Sequence, residues 1–294
     1  RVLSVDEPLG RRTVYQYDNV GNRSRVVEND ARNTLYAYDA KNRLIEVTDP
    51  MSHTTGYGYD AVDNQTVITN SLGFETVYTY DALNRRKSAK DPLTNTTYFE
   101  YDPNGNRVKL TDANGKITQF AYDQLNRLTS VTDAMIGTVT YTYDAAGNRD
   151  GMVDANGHAT DYTYDDLNRL ETMTDPLDHV TGYGYDAVGN RTRETKPDNT
   201  SIYYAYDDLN RLSGVTYPSG AVSYSYDAVG NREAMTDSFG LTTYDFDDLD
   251  RLSEVSSPNG VVSYTYDLYG NRTSITENGT HTTQYTYDLD DLLR

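Results

Sequence analysis

TGYGYDAVGNRTRET, residues 181–195, is the stretch from which the rest of the chain can be read. Tyr183 and Tyr185 stand two apart with Gly184 between them, and Asp186 follows at once. Two rings separated by a small residue fit the pleat of a strand, where alternate side chains share a face. Three residues beyond Asp186 comes Gly189, a type that tolerates positive φ. Asp at the first turn position and such a residue at the fourth predict a type I turn closed by a bulge. The aspartate is then a turn former, its carboxylate accepting backbone N–H bonds.

The same stretch recurs along the whole chain. Its aspartates are Asp18, Asp39, Asp60, Asp81, Asp102, Asp123, Asp144, Asp165, Asp186, Asp207, Asp227, Asp247, Asp267 and Asp288. They lie 21 residues apart, or 20 for the three steps from Asp207 to Asp267. An aromatic residue stands immediately before each, and another three before it. Gly, Asn or Asp stands three after each, from Gly21, Asn42 and Asp63 to Asp291. An apolar residue falls eight after most of them, as at Val26, Val47, Leu110, Met152 and Val215. Two flavours alternate: YDAVGNR at Tyr185–Arg191 and YDDLNRL at Tyr164–Leu170. Arg sits five after the Asp in most units of the first flavour and four after it in the second. Its side chain is therefore expected to change face, and the true period is about 42 residues, two hairpins.

A second turn follows each hairpin, marked by DANG at Asp112–Gly115 and Asp154–Gly157, by DPL at Asp91 and Asp175, and by Pro218 and Pro258. Proline there presets φ near −65°. No helical pattern intervenes, so the fold class is all-β. It is read as an antiparallel β-meander of repeated hairpins, a single array over residues 1–294 of about fourteen units of 20–21 residues. About 28 strands at ~4.8 Å spacing make a ribbon of roughly 130 Å. Strand twist predicts that such a ribbon coils or closes into a spiral hollow shell or tube; a two-sheet sandwich is the simpler alternative. The sequence begins and ends inside the repeat, so the expected partners are further repeats of the same chain, or copies of itself end to end.

Composition narrows the function classes. There are 29 Tyr and no Trp, with 36% hydrophobic residues, so any core is built largely of tyrosine rings. A net charge of −19 repels nucleic acid and anionic membranes. With no Cys, disulfides and thiolate metal sites are excluded, and no apolar run reaches the ~18 residues of a membrane span. The chain opens with Arg1 and not Met, as expected of a mature piece or a fragment of something longer.

The YD-x-x-G-N-R pattern, at Tyr17–Arg23, Tyr101–Arg107, Tyr143–Arg149, Tyr185–Arg191, Tyr226–Arg232 and Tyr266–Arg272, resembles the YD repeats of RHS (rearrangement hot spot) proteins. The resemblance covers essentially the whole chain. It implies a secreted or cell-surface protein whose repeats wind into a hollow β-shell. In bacterial members, insecticidal toxin complexes among them, the shell encloses a C-terminal toxin; in teneurin-like animal members it is part of an adhesion ectodomain. Bacterial toxin members end their repeats with a DPxGL-type core signature at which aspartyl self-cleavage frees the cargo. Nothing here matches it, so no toxin or core-protease domain is expected in this chain.

Other chemistry is weighed against the repeat and set aside. His53, His158, His179 and His281 all lie fourteen residues after a repeat Asp. Equivalent positions in successive hairpins lie roughly 10 Å apart, too far to share a metal. Asp112 with Asn114 and Asp154 with Asn156 are the best calcium candidates, but Asx turns explain them equally and no calcium nonapeptide is present. Paired carboxylates suit glycoside hydrolysis, yet a catalytic residue breaks a repeat once and does not conform to it throughout. Gln65, Glu194 and Lys196, which break the pattern, are scattered and read as drift. No catalytic, cofactor-binding or metal residue is therefore assigned. The Arg series (Arg43, Arg127, Arg169, Arg211; Arg107, Arg149, Arg191, Arg272) is expected to pair with nearby Asp or to cap turn carbonyls. The sequons at Asn22, Asn64, Asn95, Asn190, Asn199, Asn271 and Asn278 say little, since the repeat itself generates NRS and NRT. The function expected is a structural wall of an extracellular shell. The alternatives are a self-assembling filament or tube subunit, and a glycan-binding adhesin whose tyrosines stack on sugars.

Overall fold

The computed structural model describes residues 1–6, 11–29 and 31–288, so Asp291 of the last turn lies outside the described residues. Among these residues there are 28 strands of three to seven residues and no helix, all belonging to one antiparallel sheet. The chain divides into two compact units. One comprises residues 1–84, 90–94 and 225–294, the other residues 85–89 and 95–224. Within each, strands pair antiparallel with the next along the chain, as the alternation of strand and turn residues requires.

One hairpin stands for the rest. β14 (Gly137–Tyr143) pairs with β15 (Arg149–Val153) through Tyr141↔Met152 and Thr142↔Gly151, after which the register slips and Tyr143 faces Arg149. Asp150 is thus the extra residue of a bulge. The same slip follows the aromatic–Asp pair in β2–β3 (Arg12–Tyr17, Arg23–Glu28), β4–β5 (Arg32–Tyr38, Leu44–Thr48) and β26–β27 (Gly260–Tyr266, Arg272–Glu277). Turn geometry agrees with the sequence reading. The Gly147 N–H donates to the Asp144 carbonyl and the Asp144 N–H to the Asn148 carbonyl, with Gly147 at φ 97°.

Rings spaced two apart do share a face. Along β14, Val139, Tyr141 and Tyr143 are half-buried while Thr140 and Thr142 are exposed. The apolar residue eight after the Asp lies directly across from the first ring of its unit, as in Val26 opposite Tyr15, Ile68 opposite Tyr57 and Val215 opposite Tyr204. These cross-strand pairs are the unit of stabilisation. Burial is deepest at Val215, 4% exposed, with Val26 and Ile202 the other buried apolar residues among those described. Burying such a side chain stabilises by about 1.5–3 kcal/mol. With so few buried fully, cohesion comes from many half-buried neighbours, as in other repeat arrays.

The 20-residue steps arise at the second turn. In a 21-residue unit Thr174 pairs with Val180 across a five-residue loop, whereas Tyr217 pairs with Gly220 across Pro218 and Ser219 alone. The same short form joins Asp237 to Gly240 and Ser257 to Gly260. In the first unit, the second turn between β3 and β4 meets the aromatic–Asp turn between β26 and β27. Asn29 Nδ2 donates to the Leu268 carbonyl at 3.3 Å, and the Arg32 guanidinium lies over the Tyr269 ring at 3.5 Å.

Candidate functional site

The functional surface built by this fold is a ladder of turns along one sheet edge, in which side chains of one rung reach the next. The recurrent ties start from the repeat aspartate. Asp165 Oδ1 accepts the N–H groups of Leu167 and Arg169 at 2.9 Å, which fixes the turn. Its Oδ2 accepts from Arg169 Nε at 2.7 Å. The guanidinium then reaches forward: Nη1 donates to the Asp186 carbonyl at 2.8 Å, and the group lies 4.8 Å from the centre of the Tyr185 ring. Arg43 does the same to Asp60 and Tyr59, and Arg251 to Asp267 and Tyr266.

In the other flavour, Asn replaces Arg four after the Asp. Asn148 Nδ2 donates both to its own Asp144 Oδ2 at 2.9 Å and to Asn168 Oδ1 of the next turn at 2.8 Å. Asn22, Asn64, Asn106 and Asn190 make the equivalent bond to Asn42, Asn84, Asn126 and Asn210. The rungs therefore alternate between an amide link and a guanidinium link. That alternation is the structural content of the 42-residue period.

The arginine five after the Asp has a different place. Arg149 lies between rings, 5.6 Å from Tyr141 of its own unit and 5.3 Å from Tyr162 of the next. Arg23, Arg107, Arg191 and Arg272 each lie between two rings in the same way. The expected change of face thus does not separate arginine from the rings. Both kinds stack on aromatic rings, because the turn and bulge re-aim the strand where they sit; what changes is the ring and the hydrogen-bond partner.

The tyrosine just before the Asp carries a further link in most units, one that the sequence reading missed. The Tyr143 hydroxyl donates to the Leu128 carbonyl at 2.7 Å, and the Tyr164 hydroxyl to the Arg149 carbonyl at 2.8 Å. Tyr38, Tyr59, Tyr80, Tyr101, Tyr122, Tyr185, Tyr206 and Tyr287 likewise bond the carbonyl fifteen residues upstream. That carbonyl immediately precedes the bulge, where the ladder is interrupted, so the next unit's hydroxyl serves a backbone group at the break. The only sequence signal for this was the preference for Tyr over Phe at that position, where Phe246 is the exception.

Electrostatics follow from these contacts. The Arg43 side-chain bond holds the Asp39 carboxyl below its usual range, and the side-chain amide of Asn148 does the same for Asp144. At Asp123, Asp165 and Asp207 the leading cause is the backbone N–H of the following arginine. Burial raises the Tyr38, Tyr164 and Tyr266 phenols.

The residues weighed for other chemistry are placed as follows. His53, His158 and His179 each set ring Nδ1 within 2.9–3.0 Å of the aspartate of their own second turn, Asp49, Asp154 and Asp175. His281 meets the Thr280 hydroxyl at 3.0 Å. Asp112 Oδ1 accepts the N–H of Asn114 and of Lys116 at 2.8 Å, and Asp154 Oδ1 those of Asn156 and His158, so both are Asx turns. Among the described residues no group of three or more His, Cys, Asp or Glu is placed to hold a metal ion. Glu194 is more than drift. It occupies the apolar position opposite Tyr183 and accepts from the Tyr204 hydroxyl at 3.2 Å, with Arg191 at 3.5 Å. No described helix is long and apolar enough to cross a membrane.

Comparison with known proteins bears on this arrangement. The RHS Repeat family model matches residues 38–75, 101–134, 122–149, 151–180, 164–201, 206–243 and 246–282, well over half of the chain. No curated protein matches. Among solved structures, the crystal structure of TcdB2-TccC3-TEV aligns over 96% of this chain with a TM-score of 0.82 at 18% identity, which is a likeness of fold. A Photorhabdus luminescens Tc holotoxin pore aligns over 97% of this chain at 16% identity with a TM-score of 0.47. The chain spans 19% and 22% of the length of those two chains. By its repeats, matched over well more than half of its length, the chain belongs to the RHS repeat family.

Proposed function

We propose that the chain is a length of wall from an extracellular RHS shell, and that the shell of the parent protein encloses a polypeptide cargo. One observation carries this reading. The polar groups of the aromatic–Asp turns are spent on holding neighbouring repeats together, as in Asp165, Arg169, Asp186 and Tyr185. A surface organised this way propagates a sheet and leaves the repeat carboxylates engaged, which favours a scaffold over a catalyst. The fold likeness to TcdB2-TccC3-TEV supports the shell form. The glycan-binding alternative is disfavoured, because guanidinium groups already lie over rings such as Tyr162 and Tyr204, where a sugar would have to stack.

Electron microscopy and limited proteolysis of the parent protein test the proposal. An enclosed volume, and a cargo segment resistant to protease until the repeats are unfolded, are the expected results. A solid particle, or cargo cut at the same rate before and after unfolding, overturns it.

A further inference from the structure

Three turns share the sequence Asp-x-Asn-Gly: Asp102–Gly105 on the aromatic–Asp edge, and Asp112–Gly115 and Asp154–Gly157 on the second-turn edge. Their backbones agree. The N–H groups of Gly105, Gly115 and Gly157 donate to the carbonyls of their own turn aspartates at 3.1, 3.0 and 3.0 Å, and each glycine has positive φ. Asn104, Asn114 and Asn156 are all exposed. An asparagine before glycine is chemically labile, because glycine has no β-carbon to keep its nitrogen away from the neighbouring side chain.

What differs is the side-chain amide. Asn104 Nδ2 donates at 3.1 Å to Asn126 Oδ1 of the next turn, which also accepts from Asn106 Nδ2 at 2.7 Å. Asn114 and Asn156 use only their backbone N–H groups, toward Asp112 and Asp154, and their amides bond no group among the described residues. The edge itself is not the cause. Asn278 precedes Gly279 at a second turn and is held, its Oδ1 accepting the Val261 N–H at 2.9 Å.

We propose that Asn114 and Asn156 are sites of spontaneous modification, converting to aspartate and isoaspartate in the folded chain, and that the tie to Asn126 protects Asn104. The glycine nitrogen attacks the asparagine Cγ and forms a new C–N bond while its proton passes to water. The Cγ–Nδ2 bond breaks, the amide leaves as ammonia, and a succinimide ring remains. Water then opens the ring at either carbonyl. One opening gives aspartate; the other gives isoaspartate, with an extra methylene in the backbone. The glycine N–H must leave its turn aspartate in all three turns alike, so that bond does not separate them. The side-chain amide must also swing toward the glycine, and a bound amide has first to release its partner. Each conversion adds a negative charge to the second-turn edge.

The test incubates the folded 294-residue chain at mildly alkaline pH and follows each site by peptide mass spectrometry, with isoaspartate separated from aspartate by chromatography. The same chain in urea gives the rates set by local sequence. Relative to those, Asn114 and Asn156 should convert about fivefold faster than Asn104 and Asn278, the effect of one ordinary hydrogen bond on a barrier. Asn126→Gly suits the positive φ of that position, 61°, and removes the acceptor. It should raise conversion at Asn104 toward that at Asn114. Circular dichroism checks that this variant stays folded, and the comparison of sites within the unaltered chain stands without it. Folded-chain rates that keep the ratios seen in urea overturn the proposal. So does an absence of conversion at Asn114 and Asn156, or a rate at Asn104 that a folded Asn126→Gly chain leaves unchanged.

Discussion

The two edges of this sheet are made from the same turn and are held to different standards. The turns at Asp144 and Asp154 show the shared form: the carboxylate takes N–H groups and a positive-φ residue ends the turn, Gly147 at 97° on one edge and Gly157 at 86° on the other. On the aromatic–Asp edge the residue after the turn reaches the next repeat, as Arg169 does toward Asp186. On the other edge the equivalent His158 and His179 turn back to their own aspartates. Loop length follows the same divide. The linked edge keeps one form in every described turn, while the other edge accepts both five-residue loops and the Pro218–Ser219 form. On the second-turn edge ties to a neighbour are occasional, as from Asn278 to the Val261 backbone, and loop length varies; where each turn must deliver a side chain to its neighbour, it does not.

Acid and alkali break the linked edge over its whole length and should have the largest effect. The Asp39, Asp123 and Asp144 carboxyls are lowered in the fold, so the unfolded chain binds more protons in acid. Their contribution is complete above the ordinary value near 3.8 and is lost progressively as pH falls through the lowered folded values. The Tyr38, Tyr164 and Tyr266 phenols are raised, so their contribution is complete below pH 10 and fades as pH rises beyond it. Urea unfolding against pH should therefore give a plateau falling on both sides, with the acid limb beginning near pH 4. A flat profile down to pH 2 would remove the carboxylate links from the account.

Next in size is strain at a single turn. A β-carbon at Gly189 or Gly157 meets no neighbour, so Gly189→Val and Gly157→Val report backbone strain alone, about 1–3 kcal/mol each. The difference between them sharpens the comparison. Hydrogen exchange should show the Gly189 variant opening its own hairpin and the next, and the Gly157 variant opening one hairpin only. Equal spread from both would mean that the edges are coupled alike.

Smaller effects separate the links themselves. Tyr143→Phe removes the bond to the Leu128 carbonyl and should cost about 1 kcal/mol, with faster exchange around Leu128. Arg169→Gln removes a bond to Asp165 and the stack on Tyr185, and should raise exchange in two successive hairpins. His179→Gln should have the least effect, confined to its own second turn. Equal spread from Arg169→Gln and His179→Gln would dissolve the distinction between the edges.

Much of this was legible in the sequence. Tyr183, Tyr185 and Asp186 with Gly189 specify strand, turn and bulge by rules acting over a few residues, and Arg falling alternately five and four residues after the Asp announced a two-hairpin period. The role of Tyr143 was not legible. Its hydroxyl meets the Leu128 carbonyl because a bulge interrupts the ladder there, and a bulge is a property of two paired strands. Glu194 read as drift because its partners, Tyr204 and Arg191, converge only once the strands are in register.

The amino-acid order alone thus determined where the strands lie, which residues reverse the chain and which side chains share a face, since each depends on local sterics and near-neighbour hydrogen bonds. Tertiary structure alone decided that Arg32 covers Tyr269, more than two hundred residues along the chain. That meeting depends on geometry accumulated over many strands, to which each hairpin adds a little and none fixes by itself.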